Sequence, residues 1–353
     1  MTKLYLAMEK ELLIVDEQTE AVWSRLSGMQ PVSLATDPFH PERIYCGTFG
    51  RGLWRSTDGG DTWEPVGDPG LSLKPVTEGG ITHPHVMAVA VGKAESRQDL
   101  GAVYAGTEPS GLFVSRDGGD TWREWRELRT LPSASSWSFP PRPHTHHVRW
   151  IAPAPKQAER IHVSIEAGAV IRTLDNGHSW EDRKSGGPID VHTLLTHPAA
   201  PQRLYAAAGD GFRNPGREYA ESRDAGETWE PMSEGLEHHY LYGLAVDAVN
   251  PDLRLVSAAE SPHHAHDPVD ACSYLYRKEG DHPWERVDQG LPAPEGTVIP
   301  TLTAHPSQPG RFYALSNRGL CRSTDSGRSW VPVNIPWKEA YRWQHHHALL
   351  VVE

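Results

Sequence analysis

The chain alternates short apolar runs with turns rich in Pro, Asp, Asn and Gly. Runs such as Val86–Val91 and Leu241–Val246 read as short strands. A polar turn follows each, as in 37–42 and 197–202. A second run then ends near Gly or an acid: 43–48, 102–107, 203–208 and 311–315. A third run leads into a recurring nine-residue phrase, and the Trp of that phrase opens a fourth. Four short strands per unit, at a period of roughly 40–60 residues, predict a β-propeller blade.

The phrase occurs five times, at 55–63, 114–122, 172–180, 221–229 and 322–330. Its common core is Ser/Thr-x-Asp-x-Gly-x-Thr/Ser-Trp. Such a string suits a β-hairpin turn. The Asp folds back onto backbone N–H groups, and Gly takes a positive φ. The Trp buries its ring beneath the turn while its N–H seeks an acceptor. Trp63, Trp122, Trp180, Trp229 and Trp330 therefore anchor five units, and the turn closes on itself without a ligand.

Two degenerate units, around Trp23 and Trp284, bring the count to seven. The first unit lacks an innermost strand, because 3–7 matches the second strand of the others. The chain ends on an unpaired innermost strand at 348–353. The predicted fold is all-β: one domain over 1–353, a seven-bladed propeller of four-stranded antiparallel blades. The C-terminal strand is expected to complete blade one and leave no free sheet edge.

Composition narrows the setting. Across 353 residues the net charge is −12, without the basic stripe of a nucleic-acid binder. No apolar run is long enough to span a membrane, and the N-terminus lacks a signal peptide's apolar core. Cys46, Cys272 and Cys321 are too scattered for a disulfide framework or a zinc knuckle. The reading is a cytoplasmic protein with neither nucleic-acid nor membrane partner. Glu-Gly-Gly at 78–80 and Ser-Gly-Gly-Pro at 185–188 read as turns, since no helix follows them.

Three connections are long: 64–85, 123–147 and 260–273. Strand alternation puts all three on one face, opposite the repeated turns, and long loops on a rigid face are where a site is expected. The prolines of 137–143 exclude a helix and suggest an extended lid. Most of the 20 histidines gather on this face. His85, His147, His192, His239 and His347 fall near one level on five innermost strands. Glu108 and Glu166 end second strands, and Asp210 lies one residue beyond such an end. Imidazole with carboxylate suits a divalent metal or an acid–base pair. The five histidines are thus candidate metal ligands, and Glu166, Glu108 and Asp210 candidate catalytic carboxylates. The bland alternative for each is a polar strand end bonded to backbone or water.

The five phrases resemble the Asp-box, or BNR repeat, of sialidases, xyloglucanases and sortilin-like propellers. The chain is similar to bacterial BNR-repeat, glycosyl-hydrolase-like proteins. The resemblance implies a propeller and weakly implies an activity, because the box lies away from the catalytic face in those families. The sialidase branch fits poorly, for no Arg-Ile-Pro occurs. Two functions stay open. One is a metal-assisted hydrolase or lyase acting on a small-molecule or carbohydrate-like substrate. The other is a non-catalytic binding or assembly propeller, as the similar photosystem assembly propellers are.

Overall fold

A computed structural model of the chain describes residues 2–66 and 80–353. The turn expected at 78–80 and most of the connection 64–85 lie outside the described residues. The strands form seven separate antiparallel sheets in chain order, a seven-bladed propeller. The innermost strands pack side by side in blade order, and the last returns to the first. Strands from all seven blades line a central channel of about 510 Å³. Among the described residues, no helix is long and apolar enough to cross a membrane.

Blade one is completed from both ends of the chain. His346–Val352 pairs with Lys3–Met8, setting Lys3 against Val352 and Ala7 against Ala348. Lys3–Met8 in turn pairs with Leu12–Asp16. Blade four departs from the four-stranded pattern. Its regular sheet holds Val148–Pro153, Ile161–Ile165 and Ala169–Thr173, and its outer edge is a single bridge between Arg172 and Glu181.

Each box turn has the predicted wiring. Asp58 accepts from the Thr62 backbone N–H and hydroxyl, and Ser56 donates to Asp58 while accepting from Gly60 N–H. Asp117, Asp175, Asp224 and Asp325 repeat it. The backbone has positive φ at two successive positions in every box, at Gly59 and Gly60 and equally at Asn176 and Gly177. Burial of the Trp anchors is uneven. Trp122 and Trp330 are buried, whereas Trp63, Trp180 and Trp229 are half-buried. The indole N–H of Trp63, Trp122 and Trp330 donates to the box's own glycine carbonyl.

The box is also a clasp between blades. Tyr5 of blade one donates to the Gly59 carbonyl of blade two at 2.8 Å. Tyr45 of blade two donates to Gly118 of blade three at 2.9 Å. His162 of blade four does the same to Ala225 of blade five at 2.9 Å. The glycine that follows sits against the preceding blade. A Cβ on Gly177 would fall 2.4 Å from Trp125, and one on Gly327 2.5 Å from Leu255.

Two outcomes follow for stability. Tyr45→Phe removes a buried bond without changing shape, and chemical denaturation should register a loss of about 1 kcal/mol. Acid should also weaken the ring. Burial pushes the carboxyls of Asp58, Asp117, Asp224 and Asp325 up, but hydroxyl and backbone N–H donors outweigh it and hold them at about 2. The Ser179 hydroxyl leads the same effect at Asp175, also to about 2. These folded values lie below the unfolded ones, so the stabilisation is complete above about pH 4 and disappears as pH falls toward 2. A melting temperature that stays level between pH 5 and pH 2 would contradict the assignment.

Candidate functional site

Strand ends of blades four, five and six meet on the loop face. His147 and Arg149 flank the start of Val148–Pro153, and Glu166 follows Ile161–Ile165. Asp190 precedes Val191–His197, whose second residue is His192. Tyr240 opens Tyr240–Val246, with Tyr242 two residues on. His192 sits at a bulge, since Val191 pairs with Ala208 and Thr193 with Ala207, and the extra residue turns the His192 ring toward Asp190.

Glu166 is the hub. Its Oε2 lies 2.8 Å from His147 Nε2 and 3.3 Å from Arg149 Nε, and its Oε1 lies 3.8 Å from His192 Nε2. Burial alone would push this carboxyl up. The facing His147, the hydrogen bond from it, His192 and Arg149 outweigh burial and hold it well below the usual carboxylate range. Arg149 also lies over the Tyr242 ring, 5.0 Å from its centroid.

His192 has a defined tautomer when neutral. Its Nδ1–H donates to the Leu241 carbonyl at 2.6 Å, which leaves a lone pair on Nε2. That lone pair faces Asp190 Oδ1 at 3.7 Å and the Tyr240 hydroxyl at 3.4 Å. Asp190 is held in turn. Its Oδ1 accepts from Ala167 N–H at 3.0 Å, while its own N–H reaches Asp210. One ligand atom each from Glu166, Asp190 and His192 lies within 4.8 Å of the others. Two carboxylates and one bare imidazole nitrogen fit a divalent cation. Asp190, 30% exposed against 1% for His192, is the side open to solvent.

Behind His192 the site is aromatic and poor in water. The Tyr240 hydroxyl is 3.1 Å from His266 Nε2, and burial, with the nearby Glu166 and Asp190 charges, pushes that phenol well up. Burial, then His192 and His345, hold His266 down at about 3, a neutral ring. His266 belongs to a single helical turn, Pro262–His266, capped by Ser261.

The other expected site residues are dispersed. Glu108 is gripped through both oxygens by Arg142, at 2.9 and 2.6 Å, and lies 3.6 Å from His147 Nδ1. His85 lies against the Phe49 ring, 4.2 Å between centroids. His239 turns to Glu218 at 3.2 Å. His347 lines the channel, and burial followed by His345 and His346 keeps it neutral, at about 3. Of the five histidines, His147 and His192 alone have contacts with Glu166 among the described residues. Blades three and six adjoin this pair, but their histidines are turned to other partners, His85 to Phe49 and His239 to Glu218, while His347 comes from blade one. Asp210 accepts the Ile189 and Asp190 backbone N–H groups and so braces Asp190. The expected lid at 137–143 is a tight turn with a Phe139–Arg142 bridge, and Phe139 packs edge-on against His147.

Sequence reasoning missed Asp190. The usable signal was Asp-x-His at the head of a strand.

The BNR/Asp-box repeat family model matches residues 54–65. The xyloglucanase Xgh74A of Acetivibrio thermocellus is 26% identical over 259 residues, covering 64% of this chain and 29% of that protein. The oligoxyloglucan-reducing end-specific xyloglucanase of Emericella nidulans is 27% identical over 179 residues, covering 48% of this chain and 20% of that protein. This chain thus spans under a third of the length of these relatives. Among solved structures, the Niastella koreensis GH74 enzyme superposes with TM-score 0.67 at 17% identity, covering 92% of this chain and 51% of its own. YCF48 bound to D1 peptide superposes with TM-score 0.57 at 18% identity, covering 86% and 82%. Those two likenesses concern the fold. The chain is a seven-bladed β-propeller with BNR/Asp-box repeats, similar over part of its length to xyloglucanases.

Proposed function

We propose that the loop-face mouth carries a metal-assisted hydrolase or lyase site for a small polar or sugar-like substrate. Glu166, Asp190 and His192 are its metal ligands. The observation that carries this reading is His192 Nε2, an acceptor once Nδ1–H is spent on Leu241, facing two carboxylates within 4.8 Å. A divalent ion there would supply Lewis acidity toward a substrate oxygen or a bound water. The protein's own groups divide the remaining work. His147 and Arg149 fix the Glu166 carboxylate, and Asp210 fixes the Asp190 backbone. Tyr240, held protonated between two imidazoles, offers its hydroxyl as a hydrogen-bond donor to a substrate oxygen. Asp190, at the solvent side, meets the incoming substrate first. The carbohydrate part of the proposal leans on the xyloglucanases that the chain resembles.

A second reading, a binding or assembly propeller, has its own support. YCF48 matches this chain over most of both lengths. Ile189, Phe212, Val269 and Trp343 are exposed apolar side chains in loops of the same face. Exposed apolar patches of that kind mark protein contact sites.

Calorimetric titration of metal-stripped protein with Mn²⁺ or Zn²⁺ separates the two. One ion should bind per chain, and His192→Ala and Asp190→Asn should each weaken it at least tenfold with the fold intact. The wild type with metal should cleave some member of a panel of oligosaccharides, and His192→Ala should not. Equal metal binding by all three proteins, or none by any, leaves the assembly reading. Removing the hub should also cost stability. Glu166→Ala strands Arg149 without its anion, and denaturation should show a loss of about 3 kcal/mol.

A further inference from the structure

The central channel has an unusual wall. Half-buried Leu34, Met87, Val89, Leu195 and Leu350 project from four different blades. Most of the threonines that also line it spend their hydroxyls on backbone. Thr36 donates to the Pro41 and Arg43 carbonyls, Thr196 to that of Pro153 and Thr303 to that of Ala304, and of the lining threonines Thr301 alone keeps an unpartnered hydroxyl. The imidazoles at the far end are spent on backbone. His197 Nε2 donates to Asp247 and its Nδ1 accepts from Ala199 N–H. His305 Nδ1 accepts from Ser307 and Gln308 N–H. A space of about 510 Å³ lies in the range of small-molecule sites, and a wall this apolar offers water few partners.

One lining side chain carries a fixed charge. Arg149 stands at the loop-face end, positioned through Nε by Glu166 at 3.3 Å and by the Tyr242 ring beneath it. Among the described residues no acceptor takes up its terminal nitrogens. A guanidinium presented in this way takes a carboxylate through two parallel N–H bonds. The innermost strand of blade six, Tyr240–Val246, is seven residues long, so the apolar wall extends roughly 20 Å from that end.

We propose that the channel binds a linear aliphatic monocarboxylate, with its carboxylate on Arg149 and its chain along the apolar wall. The inference stands apart from the metal reading, because the wall and the Arg149 terminal nitrogens are not part of the Glu166, Asp190 and His192 set. Charge complementarity selects an anionic head, and the apolar wall selects an unbranched tail. A sugar would leave its hydroxyls without partners there.

The test uses dodecanoate below its micellar concentration, titrated into delipidated full-length protein in EDTA, so that the fate of the metal reading does not affect the result. Saturable binding of one dodecanoate per chain is expected. Dodecanol, without the charge, should bind at least tenfold more weakly, and acetate, without the tail, should not compete. Arg149→Gln should weaken dodecanoate at least tenfold. Because that change also disturbs Glu166, Ala348→Phe and Thr303→Phe serve as independent variants that narrow the channel. Each should lower affinity at least tenfold while circular dichroism and melting temperature stay at wild-type values. Absence of saturable binding overturns the proposal. So does unchanged affinity in both narrowed, folded variants, which would put the ligand on the outer surface.

Discussion

Everything else in this molecule depends on the hydrogen bond from a second-strand side chain of one blade to the box turn of the next. A four-stranded blade cannot bury both of its faces alone, so it must be held against neighbours. Apolar packing supplies most of the attraction but does not set the angle between blades. The clasps from Tyr5 to Gly59, Tyr45 to Gly118 and His162 to Ala225 do set it, because each acceptor carbonyl lies in a turn with two successive positive φ values. The turn is rigid because Asp and Ser/Thr satisfy its backbone internally. The Asp-box is therefore both a closed local motif and a tertiary fastener, and at Gly60, Gly177 and Gly327 the packed neighbour leaves no room for a Cβ.

Fastening on one face frees the other. The loop-face strand ends carry no repeated clasp and can collect polar groups that a packed interior would reject. Glu166 shows what this requires. A carboxylate that is 13% exposed is tolerable because Arg149, His147 and His192 surround it. Losing one partner leaves the others misfit, so the cluster acts as a unit. The neutral His266 and the protonated Tyr240 follow from the same low-dielectric setting, where burial favours uncharged forms.

The channel and the mouth cluster meet at Arg149. Its Nε serves the mouth through Glu166, while its remaining nitrogens face the apolar channel. A single side chain thereby joins two chemically different spaces.

The sequence by itself determined the blade count, the box turns and the pairing partner of the C-terminal strand. Those depend on local patterns and on counting: Asp and Gly specify a turn wherever they occur, and two half-units at the chain ends complement each other. It also picked out Glu166, His147 and His192, because strand ends can be aligned by their turns. It could not tell that these residues meet while His85, His239 and His347 do not. That depends on which partner each ring turns to, Phe49 for His85 and Glu218 for His239, a property of the packed strand ends. Asp190 and Asp210 make the same point. Both are acids at strand ends, yet one turns toward His192 and the other toward backbone N–H groups. Which oxygen faces which donor is decided by packing between blades, and no period in the sequence records it.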